Sequence, residues 1–285
     1  MKLGDLSIEV VSGGTLHLDA GNMFGPVPRL LWEKKVTPDS WHRVAMDTNV
    51  VLIRRGNERI LIDAGYGSKA GPKQREFQGL EEGEPLTRNL AALGIKPTDI
   101  TAVIITHLHF DHVGGCTRRN GEGNLEVVFP NARHYVQRSE WEDATAQLPE
   151  LAGSYFEEDF VPLAAQDLIE LIDGDGEILP DISVKVVGGH TRGMQIVQIG
   201  SQANGAPAVV ALADLAPTIH HLKAFWSMSY DQYPLDVRRT KPAILGSIAD
   251  AGSTVLFSHE TNVRAAKIVR DPKQEFTATP ARLDD

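Results

Sequence analysis

The sequence has very little cysteine: Cys116 is the single one among 285 residues. One cysteine excludes an internal disulfide, and a chain without disulfides fits a reducing compartment. Cys116 follows Val113-Gly114-Gly115, where a helix is expected to begin. We predict that it is a small buried apolar residue and not a reactive thiol.

Long apolar runs and positive charge are also scarce. No segment approaches the roughly 20 apolar residues of a membrane span, and Met1–Val11 alternates charged and apolar residues, unlike a secretion signal. Lys and Arg total 28 against 38 Asp and Glu, for a formal charge of −10. Such a surface repels a phosphate backbone. We therefore expect a cytoplasmic protein that binds neither membrane nor nucleic acid.

Hydrophobic patterning predicts an α/β fold. With 42% hydrophobic residues the chain can bury a large core, and no change in composition marks a boundary, so residues 1–285 are predicted to form one domain. The expected strands, placed where short apolar or alternating runs occur, are Leu6–Val11, Thr15–Leu18, Val44–Arg54, Arg59–Ile62, Asn131–Val136, Leu168–Ile172, Ser183–Val187, Met194–Ile199 and Ala208–Leu212. The expected helices are Glu84–Leu93, Glu140–Leu148 and Pro234–Ala251.

Residues Thr106–His112 read Thr-His-Leu-His-Phe-Asp-His, directly after the apolar run Ala102–Ile105. Three imidazoles and one carboxylate thus stand within six positions, and both groups are ligands of first-row divalent metals. The run predicts a metal-binding loop, with room for two ions. Because each ion needs three or more protein ligands, further His and Asp residues are expected downstream.

Three downstream residues meet this expectation, each where a strand-like run ends. His190 lies in the glycine-rich turn Gly188–Gly193, Asp214 follows Ala208–Ala213, and His259 follows Thr254–Ser258. Neighbouring strands bring their ends together at one edge of a sheet, so residues distant in sequence can converge there. The seven candidate ligands are His107, His109, Asp111, His112, His190, Asp214 and His259.

This order of residues resembles the metallo-β-lactamase superfamily of hydrolases, in which H-x-H-x-D-H precedes a glycine-flanked His, an Asp and a final His. The resemblance implies a four-layer αβ/βα sandwich and two divalent ions, zinc first, with iron, manganese and cobalt as alternatives. It also implies that Asp63, in Leu61-Ile62-Asp63-Ala64-Gly65, orients a ligand histidine without itself binding the metal. Its implied ligand sets are His107, His109 and His190 for the first ion, Asp111, His112 and His259 for the second, and Asp214 as the bridge.

The expected chemistry follows from two ions. One zinc lowers the pKa of bound water to about 7, so water bridging two ions becomes a hydroxide nucleophile, and no serine or cysteine nucleophile is needed. The hydroxide attacks a carbonyl or phosphoryl centre. Asp111 or Asp214 is predicted to pass the proton to the leaving group.

Two further stretches bear on the substrate. Asp214–His221 reads Asp-Leu-Ala-Pro-Thr-Ile-His-His and resembles the motif of a branch that includes YtnP-type N-acyl homoserine lactonases and methyl parathion hydrolase. Gly21–Pro28 and Asp231–Pro234 extend this likeness. Pro217 stands where lactonases of another branch have a substrate-contacting tyrosine, so help with ring opening is assigned to His220 or Tyr230.

An apolar entrance beside the metals would suit a small neutral apolar ester, lactone or triester. The residues predicted to line it are Met23, Phe24, Trp32, Trp226 and Tyr230, with core packing as the alternative. Four other histidines are expected to be surface or satisfied core residues, namely His17, His42, His134 and His221.

The sequence therefore predicts a dinuclear hydrolase of lactones, N-acyl homoserine lactones first, with additional action on organophosphate triesters. Two catalytic alternatives stay open, and a third, a non-catalytic binding protein that kept the fold, is disfavoured because binding alone gives no reason to keep all seven ligands. A thioester hydrolase of the glyoxalase II kind shares all seven ligands, although the segment after His259 is short for its basic glutathione site. A persulfide dioxygenase uses a single iron at the first site. A homodimer is expected from the family alone.

Overall fold

The computed structural model describes residues 1–202, 205–273 and 275–282. Main-chain contacts divide the chain into two compact units. The first unit comprises Met1–Thr15 and Asp47–Asp173, and the second comprises Leu16–Met46 and the chain from Gly174 onward. The assignment of residues 1–285 to one domain stays a prediction.

The described residues form sixteen β-strands and eight α-helices. The strands are β1 (Lys2–Leu3), β2 (Leu6–Asp19), β3 (Arg43–Arg55), β4 (Glu58–Ile62), β5 (Ala102–Ile104), β6 (Thr117–Arg119), β7 (Leu125–Val127), β8 (Arg133–Gln137), β9 (Ile169–Ile172), β10 (Gly176–Leu179), β11 (Ile182–Val186), β12 (Gln195–Ser201), β13 (Pro207–Ala211), β14 (Thr254–Leu256), β15 (Ala265–Asp271) and β16 (Glu275–Pro280). The α-helices are α1 (Ala20–Phe24), α2 (Arg29–Trp32), α3 (Pro72–Gln78), α4 (Pro85–Ala92), α5 (Phe110–Val113), α6 (Arg138–Thr145), α7 (Glu157–Ala165) and α8 (Pro234–Ala251).

The first unit is built on a seven-stranded sheet in the order β1-β2-β3-β4-β5-β8-β9. Strands β4, β5, β8 and β9 run parallel, and Ile62 of β4 pairs with Ile104 of β5. Parallel strands end at the same edge, so Asp63 and the loop after β5 emerge side by side. The core of this unit includes Leu52, Val103 and Phe160.

The predicted bounds of two helices in this unit need correction. Helix α4 runs over Pro85–Ala92, one residue shorter at each end than predicted, and Leu93 follows it as the C-cap and is 40% exposed. Helix α6 runs over Arg138–Thr145, so it begins and ends earlier than predicted. Gln137 is its N-cap.

The second unit carries a seven-stranded sheet in the order β10-β11-β12-β13-β14-β15-β16. Its neighbours are antiparallel except for β13 and β14, which run parallel with Ala211 opposite Leu256. Asp214 and His259 each stand three residues beyond this matched pair, so the register itself brings the two side chains to one edge. Helix α8 has the predicted bounds Pro234–Ala251.

Candidate metal centre

The run Thr106–His112, which was predicted to bind metal and is here called the metal loop, leaves β5 and enters α5 with its polar side chains packed inward. His107 is completely buried, Asp111 and His112 are nearly so, and His109 is half-buried. Nε2 of His107 lies 3.1 Å from Nδ1 of His109. Two nitrogens bound tetrahedrally to one zinc at about 2.0–2.1 Å lie roughly 3.4 Å apart. The observed separation therefore suits two ligands of one ion.

Asp63 lies behind this loop. Its Oδ1 accepts a hydrogen bond from the backbone N–H of Thr106 at 2.8 Å, and its Oδ2 accepts one from the Thr106 hydroxyl at 2.9 Å. The same Oδ2 lies 2.8 Å from Nδ1 of His112. A neutral imidazole that donates from Nδ1 keeps its Nε2 lone pair for a metal. The carboxylate thus fixes both the ring orientation and the tautomer of His112.

In the second unit Asp214 lies between two histidines. Its Oδ2 is 3.4 Å from Nε2 of His190, and its Oδ1 is 3.3 Å from Nε2 of His259. All three side chains are buried. Each carboxylate oxygen therefore faces a different imidazole nitrogen at the separation expected of two ligands on one ion. A carboxylate that bridges two ions needs this arrangement.

His190 and Asp214 are themselves held by buried partners that were not predicted as site residues. Oδ1 of Asp231 lies 2.9 Å from Nδ1 of His190, and its Oδ2 accepts a hydrogen bond from the Met228 N–H at 3.0 Å. Ser258 donates its hydroxyl to Asp214 Oδ1 at 2.9 Å. The only sequence signal for Asp231 was its place in the Asp231–Pro234 motif, which gave no role.

The donor chemistry of both units fits divalent metal ions. Imidazole nitrogens lie beside carboxylate oxygens. Nδ1 of His112 and Nδ1 of His190 are each paired with a carboxylate, which leaves Nε2 of each ring for a metal, as in carboxylate–histidine–metal triads. The protein thus carries groups of His and Asp side chains suited to bind metal ions.

The aromatic residues predicted to line an entrance all lie in the second unit. The Phe24 ring stacks on Trp32 with centroids 5.5 Å apart and meets the edge of Trp226 at 5.8 Å. These three side chains are buried, as is Met23, whereas Tyr230 is 37% exposed. The cluster is compact, and its role in substrate binding stays a prediction.

Two adjacent histidines, His220 and His221, border this cluster and differ in how deeply they are buried. His221 stacks on Phe24 at 5.4 Å, donates from Nε2 to the Met23 carbonyl at 2.8 Å and is fully buried, which lowers its pKa to about 3. It is a satisfied core residue, as expected. His220 is half-buried, with its ring 6.4 Å from that of Trp226, and burial also lowers its pKa.

Two further side chains, those of Cys116 and His134, are buried in the first unit. Cys116 is fully buried, and burial raises the pKa of its thiol, which confirms it as a buried apolar residue. His134 was expected to be a surface or satisfied core residue. It is fully buried, but neither of its ring nitrogens makes a well-directed hydrogen bond within the described residues.

The sequence model of the Metallo-beta-lactamase superfamily matches residues 43–206. This range covers more than half of the 285 residues, and the chain belongs to that superfamily. The α/β fold of metallo-β-lactamase type that the sequence predicted is thereby confirmed.

Curated relatives are N-acyl homoserine lactonases. The lactonase of Bacillus cereus is 31% identical over 156 residues, which cover 51% of this chain and 55% of the relative. The lactonase AttM of Azorhizobium caulinodans is 33% identical over 183 residues, 60% of this chain and 65% of the relative. The chain thus spans somewhat more than half the length of these relatives.

Solved structures match over nearly the whole chain. A protein described as a probable metal-dependent hydrolase from Staphylococcus aureus has a TM-score of 0.87 and 31% identity, and the match covers 99% of this chain and 100% of that one. AidC, described as a dizinc quorum-quenching lactonase, has a TM-score of 0.78, 22% identity and coverage of 99% and 96%. At that identity AidC shows a shared fold alone.

Proposed function

We propose that the chain is a dinuclear metal-dependent hydrolase of lactones, N-acyl homoserine lactones first. The observation that carries the proposal is Asp214, whose two oxygens face His190 and His259 separately. The curated lactonase relatives support the substrate class.

Zinc is the proposed metal, with iron, manganese and cobalt as alternatives, because all accept mixed imidazole and carboxylate ligands. Two such ions would supply Lewis acidity and an activated water near neutral pH. Asp63 and Asp231 would hold the imidazoles of His112 and His190 in the tautomer that a metal requires. Asp214 would offset part of the positive charge.

Proton transfer to the leaving oxygen needs a group close to the reacting atoms. His220 is half-buried and its pKa is lowered, so its ring is neutral at physiological pH and can accept or release a proton at a ring nitrogen. Asp111 and Asp214 are the other proposed carriers. A carboxylate that binds a metal is a weak base, and we therefore place His220 first.

A cavity in the first unit supports a substrate with an apolar arm. It has a volume of about 280 Å³, and apolar lining residues include Leu148, Leu151 and Tyr155. The ring of Tyr155 lies 5.7 Å from that of His109, so this cavity adjoins a proposed ligand. An acyl chain is an apolar arm of this kind, and neutral phosphotriesters with apolar ester groups are the second substrate class we propose.

None of the helices in the described residues is long and apolar enough to cross a membrane. The cytoplasmic location and the homodimer expected from the sequence stay predictions.

The test combines metal analysis with a substrate panel. Metal is quantified in the purified protein, and hydrolysis is followed for acyl homoserine lactones of increasing chain length, for paraoxon-type triesters and for a glutathione thioester, while oxygen uptake is measured with a persulfide. His109→Ala is expected to lower metal-dependent turnover at least about 100-fold, since a catalytic metal contributes several kcal/mol. The matched control is His42→Asn, because His42 is exposed and Asn tolerates its left-handed backbone.

Each outcome of the panel separates the candidate functions. Two metals per chain with lactone turnover support the proposal. Two metals with turnover of a glutathione thioester alone would favour the glyoxalase II kind of hydrolase. One iron per chain with oxygen uptake on a persulfide would identify a dioxygenase. Metal-replete protein that is inactive on every substrate would indicate a binding protein.

A further inference from the structure

Helix α6 carries a carboxylate that is completely buried. Glu140 has no exposed surface, whereas Arg138 and Glu142 on the same helix are exposed. A buried carboxylate is costly unless its oxygens are well paired. A glutamate at this position therefore requires a compensating contact.

The contact lies in the metal loop. Oε1 of Glu140 accepts a hydrogen bond from the backbone N–H of Leu108 at 2.9 Å, and that N–H is buried. Leu108 is the residue between His107 and His109, and its side chain lies in the core of the first unit. The glutamate thus contacts the peptide backbone that joins the two proposed ligands.

A second carboxylate acts on the same loop two residues earlier. Oδ1 of Asp63 accepts from the N–H of Thr106 at 2.8 Å. The N–H groups on both sides of His107 are therefore taken by carboxylates from different elements, Asp63 after β4 and Glu140 on α6. These bonds fix the loop backbone on each side of His107.

We infer that Glu140 is a positioning residue of the metal centre, which sets the orientation of His107 and His109 through the Leu108 N–H. The inference rests on the proposed centre. The length of the side chain decides whether the bond can form. The Leu108 N–H is buried between the two proposed ligands, and an acceptor oxygen reaches it from the end of a glutamate-length side chain. Removing a group that hydrogen-bonds to metal ligands without binding the metal typically lowers metal affinity about 10- to 100-fold.

Two conservative variants separate reach from charge. Glu140→Gln keeps an acceptor oxygen at the same distance but removes the charge, whereas Glu140→Asp keeps the charge and withdraws the oxygen by about 1.5 Å, one carbon–carbon bond. The matched controls are Glu142→Gln and Glu142→Asp on the exposed side of the same helix. Metal-free protein is checked by circular dichroism so that affinity is compared among folded variants.

The readouts are zinc affinity, measured by competition with a chromophoric chelator, and the absorption spectrum of the cobalt-substituted protein. We expect Glu140→Asp to weaken zinc binding about 10- to 100-fold and to change the cobalt spectrum, while Glu140→Gln stays within a few-fold of the parent. Zinc affinity of Glu140→Asp equal to that of Glu142→Asp would overturn the inference, as would a loss in Glu140→Gln as large as in Glu140→Asp.

Failure of this inference is distinguishable from failure of the proposed function. If the parent protein binds none of zinc, iron, manganese and cobalt, the metal centre itself is absent. If the parent binds zinc and opens lactones while Glu140→Asp matches its control, only the role of Glu140 is wrong.

Discussion

Oδ1 of Asp231 lies 2.9 Å from Nδ1 of His190, and both side chains are almost completely buried. The pair belongs to a segment that also carries the aromatic cluster, because Trp226 lies five residues earlier. Lys241 of α8, itself buried, donates to the Trp226 carbonyl at 2.8 Å. Helix α8 therefore holds, at Trp226, the segment that also carries the partner of a proposed metal ligand.

Replacing Asp231 should weaken metal binding without unfolding the protein. We expect Asp231→Ala to lower zinc affinity about 10- to 100-fold, because His190 loses the group that fixes its tautomer. Asp231→Asn should lose less, since its amide oxygen can still accept from Nδ1. Chelator competition measures both, and exposed Asp236 provides the control Asp236→Asn. Equal affinity in Asp231→Ala and the control would contradict the prediction.

Acid should destabilise the protein partly through His134. Burial lowers the pKa of His134 to about 4, whereas the unfolded chain has the ordinary value of about 6.5. The unfolded state therefore binds the extra proton between these values, and stability is lost as pH falls through this window, by up to about 1.4 kcal/mol per pH unit.

The variant His134→Leu removes this dependence. Between about pH 7 and about pH 5 it should lose about 1–2 kcal/mol less unfolding free energy than the parent. Urea titrations at both pH values measure the difference, and His42→Asn serves as the control at an exposed position. A parallel decline in parent and variant would rule out the contribution of His134.

Gly189 allows the close approach of the His190 turn to α8. Its φ is 87°, and a Cβ built on it would lie 2.6 Å from Val237 Cγ2 and 2.9 Å from the Val237 backbone nitrogen. Gly189→Ala should cost about 1–3 kcal/mol of stability from backbone strain, and more if the helix cannot shift. Thermal unfolding tests this against Gly176→Ala, where a Cβ meets nothing within 4 Å. A stability change no larger than that of the control would refute the steric argument.

Lys69 and Asp159 form a buried ion pair at 2.9 Å in the first unit. Lys69 also donates to the carbonyls of Gly114 and Thr117, which follow α5. Lys69→Met should cost about 3–5 kcal/mol because Asp159 is left buried without its partner. The double variant with Asp159→Leu should recover most of this loss. Denaturant titrations over the double-mutant cycle measure the coupling, and strictly additive losses would exclude it.

The strand ends that carry the proposed metal ligands could be predicted from the sequence, because each follows a short apolar run of the length of a strand. Asp63 was also accessible, since it follows β4 at once and β4 pairs in parallel with β5. Asp231 and Glu140 were not. Asp231 lies 41 residues from its histidine, and Glu140 looks like an ordinary exposed glutamate near a helix start. Their contacts depend on how loops and helices pack, which local patterns do not encode.

The short helices escaped prediction for a different reason. Helices α1 and α2 have five and four residues, too few to show a helical period. The Gly21–Pro28 stretch was singled out only through its likeness to a known branch. For His134 the sequence predicted the strand but not the surroundings of the side chain. The hydrogen bonds available to its ring depend on residues that are distant in sequence.

The matched register of β13 and β14 limits how this sequence can diverge. Asp214 and His259 are equally far from the paired residues Ala211 and Leu256, so one inserted residue in either connection would advance a side chain by about 3.3 Å. That step is as long as the 3.3 Å that separates their ligand atoms. One residue inserted into either connection is therefore expected to separate these two side chains, whereas length changes outside the two connections leave their alignment intact.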